Sequence, residues 1–326
     1  MPDLLCPTAI VIPARNESAR ILLCLQALVA QCGTRAAIHV VVNNTAGESA
    51  DDTAERVRAF ADQTAVPILV QTLRLTPSQG VGTARARGAA AALRTQPRLA
   101  HILTTDADCI VAPDWLERSL SHLSEVEAVC GHVTPMVSEA AILDRMDAQL
   151  ATMEGRYRAL VLAFYAAHAP ETTSPSDHHG EAAGASLALR AATYLSVGGF
   201  RALATGEDRD LVRRLKTAGH SVRHAGDVRV QASCRLAGRA KGGMAAALRD
   251  RTCGSDYLID DALPPPDWLV KHRAQGTLGV WPPHLPPDQR LRASELAPHI
   301  RRLEGILAGD TRISPFGLPQ IATHDA

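Results

Sequence analysis

Two carboxylates separated by one residue close an apolar run at Ile102-Leu-Thr-Thr-Asp106-Ala-Asp108. Residues two apart in an extended strand project to the same side, so Asp106 and Asp108 can address one ligand. Oxygen donors at that spacing suit a hard divalent ion such as Mg2+ or Mn2+, which is commonly shared between protein carboxylates and substrate phosphates. The structural alternative is that Asp106 ends the strand and Asp108 turns the chain. A second acidic pair, Glu207-Asp208, follows Gly206 where a helix should begin. Acids in a first helical turn are favoured by the macrodipole by about 0.3–1 kcal/mol, which accounts for the pair structurally. Placed after Gly198-Gly199-Phe200, the same pair could also project one carboxylate into a crevice as a general base.

Other polar groups cluster at the ends of apolar runs. The first run leads into Pro13-Ala14-Arg15-Asn16-Glu17, setting a guanidinium, an amide and a carboxylate before a helix. Asn16 and Glu17 could hydrogen-bond a base or ribose and Arg15 could face phosphate. Ordinary helix capping by Asn16 or Ser18 is the alternative. The second run ends in Asn43-Asn44, and Arg85 falls in the first turn of the third helix. From there it could neutralise a diphosphate or orient an aspartate. The glycines at 80, 82 and 88 do not have dinucleotide-fingerprint spacing, so the phosphate signal there is weak.

These groups need a scaffold that brings strand ends together, and the first half of the chain supplies the rhythm for one. Strands are expected at residues 8–12, 38–42, 68–73, 101–105 and 128–133, alternating with helices at 17–31, 51–62, 82–93 and from about 114 to 123. That alternation predicts parallel βαβ units, whose ligands lie beyond the carboxyl ends of the strands. A long helix is expected over 140–167, then a polar loop over 170–180, a strand at 185–189, a helix at 207–218 and a strand at 228–232. Beyond residue 253, proline clusters at 264–266, 282–283 and 286–287 suggest an irregular tail ending in one helix near 295–307.

Composition narrows the class further. The 326 residues carry 34 basic and 34 acidic side chains, leaving no broad field to attract nucleic acid or an anionic membrane. Aromatic content of 3% suits helices packed on a sheet better than a β-sandwich. Seven cysteines form no C-x-x-C pair and no zinc spacing, and several sit in apolar runs, as reduced thiols in a cytoplasmic protein do. No stretch reaches the roughly 20 apolar residues of a membrane span, and no basic segment followed by an apolar one opens the chain. A soluble protein is expected.

Taken in order, Val11-Ile-Pro-Ala-Arg-Asn-Glu17, Asn43-Asn44, Ala84-Arg85 with Gly88, Thr105-Asp-Ala-Asp108, Gly184-Ala-Ser-Leu-Ala-Leu-Arg190, Gly198-Gly-Phe200 and Gly206-Glu-Asp208 resemble the motif series of family 2 glycosyltransferases. The resemblance covers about residues 8–235. It implies a GT-A fold of α/β class: a central, mostly parallel sheet flanked by helices, here with a helical or irregular C-terminal extension. The expected organisation is a glycosyltransferase domain over 1–253, with a nucleotide-binding half at about 8–135 and an acceptor half at 136–253, followed by the extension at 254–326.

The resemblance further implies a nucleotide-diphosphate sugar donor, a hydroxyl acceptor and a divalent metal, Mg2+ or Mn2+. Pro13, Ala14, Arg15, Asn16, Glu17, Asn43, Asn44, Arg85, Thr105, Asp106 and Ala107 would line the nucleotide-sugar site, with Asp106 and Asp108 at the metal. Asp208 would be the catalytic base and Glu207 its support. His179, Gly184 and Ala185 are the candidates for acceptor binding; His178 and His179 could equally be exposed loop residues or part of a lid. Family members invert configuration, the expected outcome here, although retaining enzymes share the fold.

Some positions depart from the family pattern. Asn43 and Asn44 stand where an aspartate is usual, so that point contributes hydrogen bonds without charge. The Q-x-x-R-W motif of processive synthases is absent, which favours single transfers to a small or soluble acceptor. Where many members carry a histidine ligand after the last core strand, this chain has Val230-Gln-Ala-Ser-Cys234; nearby His224 could substitute, but a satisfied surface group is the simpler expectation. A nucleotidyltransferase is the alternative enzyme class, but its glycine-rich loop with a lysine near the first strand is missing. A non-catalytic nucleotide-sugar-binding protein is the third reading, and two intact acidic sites argue against it.

Overall fold

The computed structural model describes residues 4–45, 50–76, 79–169, 179–238 and 242–310. Its first half alternates as the apolar periodicity requires: β1 Thr8–Ala14, α1 Ile21–Cys32, β2 Ala36–Thr45, α2 Thr53–Ala61, β3 Ile68–Leu75, α3 Val81–Thr95 and β4 His101–Thr104. Then come β5 Cys109–Val111, α4 Trp115–Glu125, β6 Ala128–Pro135, α5 Ala148–His168, β7 Leu187–Arg190, α6 Ala191–Ser196, α7 Glu207–Thr217 and β8 Val222–Ala232. Helices α8 Met244–Thr252, α9 Pro266–Ala274 and α10 Leu296–Ala308 follow.

One eight-stranded sheet runs in the order β3-β2-β1-β4-β7-β6-β8-β5. Strands β3, β2, β1 and β4 are mutually parallel, and β6 is parallel to β8. Strand β7 enters antiparallel between β4 and β6, and β5 closes the edge antiparallel to β8. Every residue of β1 is buried, as a strand covered by helices on both faces demands. The parallel directions aim the residues after β1 and β4 at the same end of the sheet.

Several elements differ from the sequence expectation for identifiable reasons. The helix expected over 140–167 is two elements, a 3-10 segment Val137–Arg145 and then α5, because Asp147 accepts hydrogen bonds from Gln149 N and Leu150 N and caps a new start. Helix α1 begins at Ile21 and not at Glu17, since tertiary contacts hold the Glu17 turn outside it. Strand β5 is three residues long, too short to show a period. The C-terminal prolines do more than break structure: Pro266 occupies the first turn of α9, where its missing N–H costs nothing. Most of the expected 170–180 loop, His178 included, lies outside the described residues.

Beside the sheet is a second apolar core. Tyr157, Val161 and Phe164 of α5 pack with Ile259, Leu263, Leu269, Trp281, Leu296, Ile300 and Leu303. The segment after residue 253 thus shares its interior with α5. Arg209, the third residue of α7, is tied to the same segment by Asp260, with Nη1 at 2.7 Å from Oδ1, and by Asp261. Among the described residues, no helix is long and apolar enough to cross a membrane.

Candidate active site

At the carboxyl end of β1 the chain turns sharply, with Asn16 in the left-handed region at φ 52°. The turn is held from β2 and α2. Asn16 Oδ1 accepts from Asn44 Nδ2 at 2.7 Å and from Asp51 N at 3.2 Å. Glu17 N donates to Thr53 Oγ1 at 2.9 Å, and Ser18 N donates to Asp51 Oδ2 at 3.0 Å. Burial would raise the Asp51 carboxyl, but hydrogen bonds from Thr53 and Ser18 outweigh it and hold the group below its usual range. Helix capping by Asn16 or Ser18 is not what forms: the N-cap is Arg20, without a side-chain cap bond. Asn43 is buried, and the amide orientation set by its neighbours brings its nitrogen 3.3 Å from Ala14 O and 3.2 Å from Val41 O. Two carbonyls can only accept, so an amide serves here where a carboxylate would be repelled.

The two acidic pairs meet through one arginine. Arg85, on the first turn of α3, is 3% exposed and reaches Asp106 Oδ1 with Nη2 and Glu207 Oε1 with Nη1. The contact with Asp106 is one of the two expected of Arg85. Glu207 is only 1% exposed, whereas Asp106 is about a third exposed. The backbone is fitted around this guanidinium: a Cβ on Gly184 would lie 2.3 Å from Arg85 Cζ, closer than any real contact. Gly184 is in turn fixed by Thr104 Oγ1, which donates to its carbonyl at 2.6 Å.

Asp208 is held by main chain. Its Oδ2 accepts from Gly184 N at 2.7 Å and its Oδ1 from Arg209 N at 2.8 Å. Gly206, at φ 75°, supplies the left-handed residue that lets α7 start immediately with both acids. Asp108 has a different setting. Its Oδ2 is 2.9 Å from Arg235 Nη2, and the same guanidinium binds Glu17, with Nη1 at 2.8 Å from Oε2. Burial pushes the Asp108 carboxyl up to about 6; Arg235 opposes this, and neighbouring Asp106 and Glu17 add to it. Thr105 and Ala107, between these groups, are buried.

Arg235 was not singled out in the sequence. It lies one residue past the Val230–Cys234 stretch that lacks the family histidine, so a cation does approach the acidic site from the expected strand, as a guanidinium. His224 is not the surface group expected but is buried, with Nδ1 2.8 Å from Glu181 O and Nε2 3.3 Å from Lys216 Nζ. His179 is neither an open loop residue nor free to act as a lid: its ring packs on β6, with Nε2 3.2 Å from Cys130 O. Ala185 is buried within the main core.

The acidic group fits a divalent ion. Ligand atoms of Asp106, Asp108 and Cys109 lie within 4.8 Å of one another. Each aspartate gives one oxygen to an arginine and keeps the other, enough for an ion that completes its shell with phosphate and water. The Cys109 thiol is pushed well up by burial, then by Asp106 and Asp108, and as a soft, protonated group it is a poor ligand for Mg2+ or Mn2+.

A parallel β3-β2-β1-β4 half whose strand ends carry this acidic group, joined through antiparallel β7 to β6 and β8, defines a GT-A glycosyltransferase fold. Residues 9–168, 160 of the 326, match the glycosyl transferase family 2 model. Two solved structures illustrate the likeness. Staphylococcus aureus TarS 1-349 in complex with UDP-GlcNAc is 17% identical with a TM-score of 0.51, covering 74% of this chain and 60% of that one. The mannosyltransferase PcManGT from Pyrobaculum calidifontis, in complex with GDP-Man and Mn2+, is 18% identical with a TM-score of 0.53, covering 94% and 76% respectively. The chain thus spans about 60% of the length of the TarS 1-349 structures. At such identities the likeness concerns the fold. No curated protein sequence matches the chain.

Proposed function

We propose that this glycosyltransferase moves one sugar from a nucleoside-diphosphate donor to a hydroxyl of a small or soluble acceptor in the cytoplasm, without processivity and with inversion. The observation that carries the reading is the shared guanidinium of Arg85. It touches Asp106 and Glu207, and so draws the tip of β4 and the start of α7, about a hundred residues apart in sequence, to one place. UDP-GlcNAc beside TarS and GDP-Man with Mn2+ beside PcManGT support the donor class and the metal, leaving base and sugar open.

In this reading Asn16, Glu17, Asn44 and the Asn43 segment face the nucleoside, while Asp106 and Asp108 hold a divalent ion. When bound, that ion would offset the charge of the departing diphosphate. An acceptor hydroxyl is far too weak an acid to ionise at neutral pH, so a positioned carboxylate is needed to take its proton as the bond to the sugar forms. Asp208 takes that part. Its two backbone hydrogen bonds orient it, and each oxygen keeps a lone pair. Glu207 acts at one remove by anchoring Arg85.

A thermal-shift panel of nucleotide sugars with and without Mn2+ tests the donor. A ligand at 100 times its dissociation constant adds about 2.7 kcal/mol. A shift requiring both nucleotide sugar and metal, with transfer lost in Asp108→Ala and Asp208→Ala, is the expected result. Unchanged transfer in either variant overturns the assignment. Release of pyrophosphate from a nucleoside triphosphate would point to nucleotidyl transfer.

A further inference from the structure

A second cluster of ligating side chains, of different chemistry, lies on β6 and on the segment that leads to Gly184. His132 belongs to β6, and His179 and Glu181 precede Gly184. Their ligand atoms all fall within 4.8 Å of one another. His132 Nδ1 is 3.2 Å from Glu181 Oε1, and His179 Nδ1 is 3.9 Å from Glu181 Oε2. Nitrogen and oxygen ligands at about 2.0–2.2 Å from a tetrahedral ion stand roughly 3.3 Å apart, so these atoms need to move little to share one.

The outer contacts are of the kind that metal ligands use. His179 Nε2 faces the Cys130 carbonyl at 3.2 Å. A carbonyl only accepts, so Nε2 carries the proton and Nδ1 presents its lone pair towards Glu181. Glu181 Oε2 accepts from Val133 N at 2.7 Å, which orients the carboxylate. His132 Nδ1 is buried yet has no aligned hydrogen-bond partner, although the carboxylate is close. A proton on His132 or an ion between the two groups would satisfy this contact. The cost would be the long 3.2 Å bond that His179 Nδ1 accepts from Glu181 N.

We propose that His132, His179 and Glu181 form a second metal site that takes a borderline transition ion such as Zn2+. Two imidazoles and one carboxylate suit such ions, whereas the all-oxygen pair Asp106 and Asp108 suits Mg2+ or Mn2+. The role is structural. Glu181 lies three residues before Gly184, whose N–H holds Asp208 and whose bare Cα admits Arg85. An ion here pins that segment to β6. The proposal does not depend on the identity of the donor or of the base.

The test is a Co2+ titration of the chelator-stripped full chain in excess Mg2+, followed by the visible absorption of the bound ion. Wild type and Asp108→Asn are expected to bind one Co2+ per chain alike. His132→Asn combined with His179→Asn, shown to be folded by circular dichroism, should weaken binding by on the order of 100-fold, since even changes to outer contacts cost 10–100-fold. Absence of Co2+ binding in Asp108→Asn, or unchanged affinity in the folded double-histidine variant, overturns the site. If the double variant does not fold, X-ray absorption of the Zn2+-loaded wild type decides: imidazole scattering supports the site and its absence rejects it.

Discussion

Asp106-Ala-Asp108 and Glu207-Asp208 read alike in sequence, each two acids at the edge of a regular element, but the fold gives them different environments. One member of each pair, Asp106 and Glu207, is paired with the same arginine, Arg85. The remaining members diverge. Asp108 is crowded by Asp106 and Glu17 and sits against Arg235, and burial raises its carboxyl to about 6. Asp208 touches no cation within ion-pair distance among the described contacts and is oriented by two main-chain N–H groups. A carboxylate that is costly to ionise and lies among other acids is one that gains from binding a cation. A carboxylate steered by backbone hydrogen bonds is one that keeps a fixed direction. The difference teaches that the spacing of acids marks a site, while the neighbours assign the parts.

The largest expected effect separates those parts directly. Asp208→Asn should lower transfer by about 10²–10⁴-fold, the range for a lost general base, while Mn2+-dependent donor binding persists. Asp108→Asn should lower transfer comparably and lose the Mn2+-dependent part of donor binding. Calorimetry of both variants with nucleotide sugar and Mn2+ is the measurement. Equal donor affinity in the two would erase the distinction.

The next effect tests what joins the pairs. Arg85→Met leaves buried Glu207 and half-buried Asp106 without their common partner, and breaking a buried ion pair from one side costs about 3–5 kcal/mol. Lysine should not restore the loss, because a single ammonium does not span two carboxylates as a guanidinium fork does. Urea unfolding at neutral pH measures both. A wild-type midpoint for Arg85→Met would mean that the pairs are held together by other contacts.

A smaller effect has the opposite sign. Asp108 has a usual carboxyl value of 3.8 and a folded value of about 6, so between them the folded chain binds the proton more tightly than the unfolded chain. Stability therefore falls as pH rises through that window, and the full cost is present above about pH 6. Asp108→Asn should accordingly stabilise the donor-free protein at pH 7 by up to about 3 kcal/mol, with the gain vanishing below about pH 4. If Asp108 holds the ion as proposed, proton and metal compete for the carboxylate, and Mn2+ affinity should weaken as pH falls below about 6. A destabilised Asp108→Asn at pH 7 would show that Arg235 needs this carboxylate more than burial opposes it.

Much of this was legible in the sequence, and the part that was not has a common cause. The parallel half could be read because β1, β2 and β4 are apolar runs at regular spacing, and both acidic pairs carried their own local punctuation. Arg235 gave no signal, being 127 residues from Asp108 and 218 from Glu17, which it joins by tertiary contact alone. Gly184 was visible as a motif residue, but its reason, the guanidinium lying against it, belongs to α3. Helix α9 was hidden by prolines that mark a helix start as readily as a break. Local period and capping reveal elements; partners across the fold come only from packing.

Asn43 offers the smallest effect and the sharpest check on how acids are distributed at these strand ends. The family pattern favours an aspartate there, and restoring it with Asn43→Asp would add a further carboxylate at the end of β2. The amide nitrogen now faces two carbonyls, Ala14 O and Val41 O. An ionised carboxylate cannot donate to either, so the substitution should destabilise by about 1–2 kcal/mol at pH 7, the usual cost of a buried polar group left without a partner. Lowering the pH should relieve part of the loss, because a protonated carboxyl regains one donor. Urea midpoints at pH 7 and pH 5, each against wild type at the same pH, measure this. A neutral or stabilising Asn43→Asp would mean that the side chain turns towards the nucleotide side, and that the missing charge at this strand end reflects the donor and not the packing of β1 against β2.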